Sequence, residues 1–330
     1  MAETHTQPFK ITENLPDGVP ANFGLRLDAF DATGKSYRGD LTFINWESTV
    51  GTRCNQFWAA QGPASFAFMS DPQNMVELHK RQFNLIGLAN NHTRDCPDAE
   101  EGVDGAHASA RHMTQLSQET GANWLWHGVG TEKTAAVKTL TLKGKPIKVA
   151  FASLYIAEGD CTYVTCAKDQ LTVLRSLRDA DANLRILAMH SWTDDTQTQL
   201  VDIGVNFIRN YDGDIVFGHG PHVWEPVRVV ESARGNGKRG IIFESLGNFI
   251  HPALVPSSQH LIGRALYDLD TLKLRQVQII PITLNRIYAS FGGASALGLP
   301  ANLTWQEVRD PIWQSGVSPN ISAAYTNIKQ

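Results

Sequence analysis

Short apolar runs that stop at polar turns recur along this chain. DLTFIN, from Asp40, reads as a strand ending at a turn. NLIGLA from Asn84, IKVAFASL from Ile147 and LRILAMH, which ends at His190, repeat the pattern. DIVFG, running into His219, and RGIIFESLGNF continue it. Between these runs the spacing predicts helices. SDPQNMVELHKRQ carries helix-start chemistry, with Ser70 or Asp71 as N-cap and Pro72 in the first turn. Further helices are expected over about His107 to Glu119, closed by Gly121, over about Asp169 to Ala182, and over about Asp195 to Asn210. Two late β-rich stretches, GRALYDL and RQVQIIPITL, complete the series. Strands alternating with helices predict an α/β fold rather than segregated α+β. No linker demands a boundary, so residues 1–330 read as a single domain with an appendage after about Pro300.

Composition narrows the function classes. A chain of 330 residues can bury a substantial core. Its 42% hydrophobic and 19% charged content is that of an ordinary soluble globular protein. A net charge of −4 gives no electrostatic footprint for nucleic acid. No apolar run approaches the ~18 residues of a membrane helix. The first residues, Met1-Ala2-Glu3, read equally as a native start or as a mature exported chain with Met1 added. The four cysteines favour the second reading, because an even count suits two disulfides in an oxidising compartment. Cys161 and Cys166 enclose a short loop, which leaves Cys54 with Cys96; free thiols are the alternative. The expected location is periplasmic or secreted.

Ligands of open α/β sheets gather at the carboxyl ends of strands, and several strands here end in chemistry-bearing residues. The clusters are Asn45-Trp46-Glu47, Asn90-Asn91-His92 with Asp95, His190 with Asp194 and Asp195, and His219-Gly220-Pro221-His222. A fifth, Ser245-Leu246-Gly247-Asn248, lacks a strong metal ligand. Singly, each has a plain reading: a hydrogen-bonded histidine, a solvated Glu47, left-handed turn geometry at Asn90-Asn91, a cap at Ser245 or Asn248. Jointly, imidazoles, a carboxylate and an amide form the ligand set of a borderline divalent cation such as Mn, Zn or Fe. Asn45, Asn90, Ser245 and Asn248 are the candidate substrate contacts. Trp46, Trp58, Trp192 and Trp224 lie near these motifs, with core packing the expected role of each.

FINWES, LANNHTRD, LAMHSW, VFGHGPHVWEP and ESLGNFI resemble, in order, the motifs of the poly-γ-glutamate capsule-biosynthesis (CapA-like) family. That family is similar to the calcineurin-like metallophosphoesterases. The resemblance runs from about Asp40 to Ile250. It implies a four-layer α/β/β/α sandwich with a metal centre at one sheet edge. By motif, Glu47 resembles the bridging carboxylate, Asn91 the amide ligand, and His190, His219 and His222 the histidine ligands. His92 resembles the histidine that meets the leaving group, and Asp95 can orient it through its other ring nitrogen. Glu47, Asn91, His190 and His219 complete the set for one metal. By the resemblance, a second metal would need an aspartate from a Gly-Asp motif after the first strand, and none is found there; Glu13-Asn14 stands where it is expected, with Asp17 and Asp28 as alternatives. The resemblance implies a metal-dependent hydrolase of phosphoester or related bonds, acting on a small molecule, an anionic polymer or a peptide. The alternatives are a non-hydrolytic accessory in polyglutamate capsule synthesis or export, and a metal-independent peptide epimerase. His251 and His260, in HPALVPSSQH, receive no ligand role.

Overall fold

A computed structural model describes residues 7–15, 18–58, 66–235, 237–250, 257–285, 288–291 and 306–308. The chain forms two compact units, Met1–Ala136 with Ala152–Gln170, and Val137–Phe151 with Leu171–Gln330. Its elements, in order, are α1 (Phe23–Asp31), β1 (Phe43–Asn45), β2 (Thr49–Val50), β3 (Cys54–Gln56), β4 (Met69–Ser70), α2 (Gln73–Lys80), β5 (Leu85–Gly87), β6 (Asp98–Ala99), α3 (Gly105–Thr120) and β7 (Leu125–His127). There follow β8 (Ala136–Leu142), β9 (Lys145–Tyr155), α4 (Gln170–Asp179), β10 (Leu184–His190), α5 (Asp194–Asn210), β11 (Ile215–His219), β12 (Trp224–Glu231) and β13 (Arg239–Leu246). The last are β14 (Ser257–Tyr267), β15 (Leu274–Asn285), β16 (Tyr288–Phe291) and β17 (Gln306–Val308). This is the expected α/β class.

The first unit is built on a parallel sheet ordered β1-β5-β7. Its register pairs Asn45 with Gly87 and Gly87 with His127, so all three strands stop at one level. Helix α1, which the sequence pattern did not announce, starts at Asn22, whose side chain accepts from the Leu25 amide. It buries Phe23, Leu27 and Phe30, and the Phe23 ring meets Trp46 edge-on at 5.1 Å. Of the two expected caps for α2, Asp71 supplies the contact, accepting from the Gln73 amide. Ser70 instead lies in β4 and accepts from the Trp46 indole. Helix α3 ends as expected at Gly121, whose left-handed φ of 59° closes the last turn.

The second unit carries a mixed sheet ordered β12-β13-β11-β10-β9-β8 and an antiparallel sheet β14-β15-β16, with β17 paired to β15. LRILAMH forms β10 with the expected boundaries. β10, β11 and β13 run parallel, and β12 returns antiparallel to β13. Successive β13 side chains face opposite ways. Ile242 reaches Gly204 on α5, while Phe243 reaches Gly263 on β14. This unit is therefore layered helix, sheet, sheet. Burying a side chain such as Ile242 or Phe243 stabilises the fold by roughly 1.5–3 kcal/mol. Most of the expected appendage after Pro300 lies outside the described residues, as do Asp17 and His251.

Both cysteine pairings hold: Cys54 with Cys96 and Cys161 with Cys166, each with Cα atoms 5.8 Å apart. Among the described residues no helix is long and apolar enough to cross a membrane.

Candidate functional site

In the first unit the strand ends feed one polar network. Gly128 follows β7 with φ 113°, and a Cβ there would come within 2.4 Å of the Ala89 backbone, so only glycine lets the loops after β5 and β7 close up. Asn90 is 1% exposed and acts as a strut. Its Nδ2 donates to Asn45 Oδ1 at 3.2 Å and to the Trp46 carbonyl at 3.0 Å. Its Oδ1 accepts from the His92 amide and the Thr93 hydroxyl, both at 3.1 Å. Asn45 Nδ2 in turn donates to Glu47 Oε2 at 3.1 Å. Asn45 and Asn90 thus spend these polar atoms on holding the loop and the carboxylate. Neither Asn90 nor Asn91 has the positive φ that plain turn geometry would use.

Asn91 Oδ1 is buried without a hydrogen-bond partner among the described residues. An orphaned buried carbonyl costs about 1–3 kcal/mol. Beside it, His92 Nδ1 donates to Asp95 Oδ2 at 2.6 Å. Its Nε2 lies 4.0 Å from Glu47 Oε1. Burial alone would lower the His92 pKa, but the Asp95 bond and the Asp95 and Glu47 charges carry it above the ordinary imidazole value. The ring also packs on Phe68, centroids 4.5 Å apart. Asp95 is held on three sides. Its Oδ2 accepts from the Phe68 amide at 2.6 Å, its carbonyl accepts from Trp58, and its neighbour Cys96 is bonded to Cys54.

Sequence reasoning missed Tyr155, which ends β9. Burial first, then the Glu47 charge, raises its phenol pKa. Its one local signal is its place at the end of a long apolar run.

In the second unit β10 and β11 end together, with His190 opposite His219 in the parallel register. The side chains leave the sheet on one face, and the two Nδ1 atoms lie 2.8 Å apart. Burial pushes the His219 pKa down to about 3, so its ring is neutral. The turn that follows depends on Gly220, φ 127°, where a Cβ would fall 1.8 Å from the Ser191 carbonyl oxygen. His222, at φ 62°, then brings Nδ1 to 3.1 Å from Asn248 Oδ1. Ser245 is fully buried; its hydroxyl donates to the Val223 carbonyl and accepts from the Gly247 amide, tying the turn. Asp194 and Asp195 open α5, where carboxylates suit the helix dipole.

Each unit contains donor types that divalent cations take. In the second, the His190 and His219 imidazoles meet Nδ1 to Nδ1; in the first, the Asn91 amide oxygen is buried without a hydrogen-bond partner among the described residues. Two of the side chains offered for a second metal, Glu13 and Asp28, already have partners. Glu13 accepts from the Lys10 amide, Asn14 bridges Pro20, and Asp28 is ion-paired with Arg81 at 2.6 Å. Cys161, Cys166 and Asp169 lie close together, but the sulfurs are bonded to each other and Asp169 caps the Cys166 amide. Trp46 is core, whereas Trp58 and Trp192 are 53% and 56% exposed.

No curated protein matches the chain. A crystal structure described as a novel phosphatase of Mycoplasma pneumoniae aligns with 12% identity and a TM-score of 0.40, over 89% of this chain and 90% of that one. A model of the bacterial capsule synthesis protein family PGA_cap matches residues 31–253. This protein belongs to that family.

Proposed function

We propose that the protein is a metal-dependent hydrolase of phosphoester or related bonds, possessing a histidine acid rather than a metal alone. The observation that carries this reading is His92, fixed through Nδ1 by Asp95 and raised in pKa. A bonded Nδ1 leaves Nε2 as the atom presented to substrate, and a raised pKa keeps a proton there near neutrality. Asp95 sets the ring's orientation and stabilises its charged form. Glu47 and Asn91 in the first unit, and His190, His219 and His222 in the second, are the proposed holders of Mn, Zn or Fe. When bound, such an ion lowers the pKa of water and polarises a phosphoryl oxygen. The two disulfides support work in the periplasm or outside the cell. The test is elemental analysis of the purified protein together with phosphomonoester and phosphodiester turnover by wild type and His92→Ala. Folded wild type with no metal-stimulated turnover on either class would sink the reading.

A second reading is favoured by one observation: Glu13 and Asp28, two of the residues offered in place of the Gly-Asp aspartate, already have partners in the Lys10 amide and Arg81. In it the protein binds an anionic polymer such as polyglutamate during capsule synthesis without cleaving it. Metal-free protein with measurable polyglutamate affinity would favour this alternative.

A further inference from the structure

We infer that Asn248, anchored by His260, is a positioning residue that fixes the ring and tautomer of His222. This deepens the reading of His222 as a site residue and rests on that reading for its functional meaning, though not for its geometry.

Asn248 meets His222 at two points. Its Nδ2 lies 3.1 Å from the His222 carbonyl oxygen, and its Oδ1 lies 3.1 Å from the His222 ring Nδ1. A carbonyl can only accept, so the amide orientation follows: nitrogen toward the backbone, oxygen toward the ring. An amide oxygen can also only accept. The His222 proton therefore sits on Nδ1, and the lone pair of the neutral ring is at Nε2. That is the arrangement an imidazole needs to offer Nε2 to a cation or a proton.

The same contact holds the backbone. His222 has φ 62°, a left-handed conformation that is strained for a residue with a Cβ. The bond from Asn248 to the His222 carbonyl secures that turn, while Gly220 two residues earlier brings it against Ser191. Asn248 is itself pinned from behind, since its amide donates to His260 Nδ1 at 3.0 Å. His260 is 1% exposed and stands on β14. Because Nδ1 accepts, the neutral His260 ring carries its proton on Nε2, which is buried without a hydrogen-bond partner among the described residues. A buried histidine held in this costly state is explained by its service to Asn248. The chain of contacts runs from the second sheet through a loop to the His-Gly-Pro-His turn, all within one unit.

The test is the tautomer of His222 in metal-free protein, read from its ring nitrogen shifts by two-bond nitrogen–proton NMR. Wild type should show His222 protonated on Nδ1. Asn248→Ala should release the ring to a mixture in which the Nε2-protonated form predominates. Asn248→Asp, which keeps the acceptor, should retain the Nδ1 proton. His260→Asn, whose side-chain oxygen replaces the Nδ1 acceptor, should preserve the wild-type signal, and His260→Ala should broaden or shift it. Circular dichroism identifies any variant that fails to fold, and Asn248→Ala, on a half-buried loop, decides the question if His260→Ala does not. An Nε2-protonated His222 in wild type, or no change in Asn248→Ala, would overturn the inference. Mn²⁺ titration of the same samples separates the two levels. Wild type that binds no Mn²⁺ would overturn the metal reading while the tautomer result still decides the role of Asn248. Where wild type binds, Asn248→Ala should weaken affinity by about 10- to 100-fold at the site that uses His222, and unchanged affinity there would overturn the functional part of the inference.

Discussion

His190 and His219 close two neighbouring parallel strands in register and turn their Nδ1 atoms to within 2.8 Å of each other. Two buried imidazoles so placed either share one proton or face a common cation. Replacing one removes a donor the other relies on. His219→Ala should therefore lower the metal content below one equivalent by elemental analysis. In metal-free protein it should cost about 1–3 kcal/mol of stability, measured by urea denaturation. Full retention of metal by this variant would remove His219 from the ligand set.

Asn91 makes the opposite prediction for stability. Its buried oxygen has no partner among the described residues, so its presence is a cost to the metal-free fold. Asn91→Leu, of similar volume, should leave the metal-free melting temperature unchanged or raise it. It should also abolish the rise in melting temperature that Mn²⁺ gives wild type. A destabilised Asn91→Leu that still responds to Mn²⁺ would contradict both halves.

Asp95 is predicted to matter through His92. His92→Ala should reduce turnover by about 10²- to 10⁴-fold, the usual worth of a placed proton donor. Asp95→Ala should approach the same loss while retaining metal. Because Asp95 also accepts from the Phe68 amide, its melting curve must be compared alongside. Equal turnover in wild type and His92→Ala would assign the chemistry elsewhere.

The Cys54–Cys96 bond closes a long loop beside Asp95, with both sulfurs packed among Met69, Ala99 and Ala108. Removing it as Cys54→Ser with Cys96→Ser should cost about 2–4 kcal/mol. Calorimetry of oxidised wild type and the double variant measures this. The variant should also lose turnover, because the loop that carries His92 ends at Cys96.

Asp31 supplies the pH dependence. Burial pushes its pKa up, but bonds from the Thr33 and Ser36 hydroxyls and amides outweigh this and hold it well below the ordinary carboxylate value. A folded-state pKa below the unfolded value of about 3.9 stabilises the fold above that pH. The contribution is lost as pH falls toward the folded value. Asp31→Asn should thus cost about 1 kcal/mol at pH 7, a capping-scale effect discounted for partial exposure. The deficit should shrink below about pH 4. The same deficit at pH 3 and pH 7, by denaturant midpoint, would refute the electrostatic account.

What the sequence disclosed was local. LRILAMH ended where its apolar run ended, at His190, and Gly121 closed α3, because one strand end and one left-handed cap are decided by a few adjacent residues. The cysteine pairs followed from spacing and count. What it hid was set by distant partners. Helix α1 is secured by Trp46 and by Arg81, 53 positions beyond Asp28. Asn90, readable as a turn residue, became a strut through Asn45 and Trp46. Tyr155 came under the influence of Glu47 with no motif to mark it, and Asn248 found His222 across the turn.

The strand β13 has one further implication, for tolerance of insertions. Ile242 serves the helix above it and Phe243 the sheet below, so neither face of the strand is idle. A single inserted residue would invert the whole alternation and present each layer with the other's side chains. Loops around the polar turns can lengthen over generations, but this strand can change only by substitution.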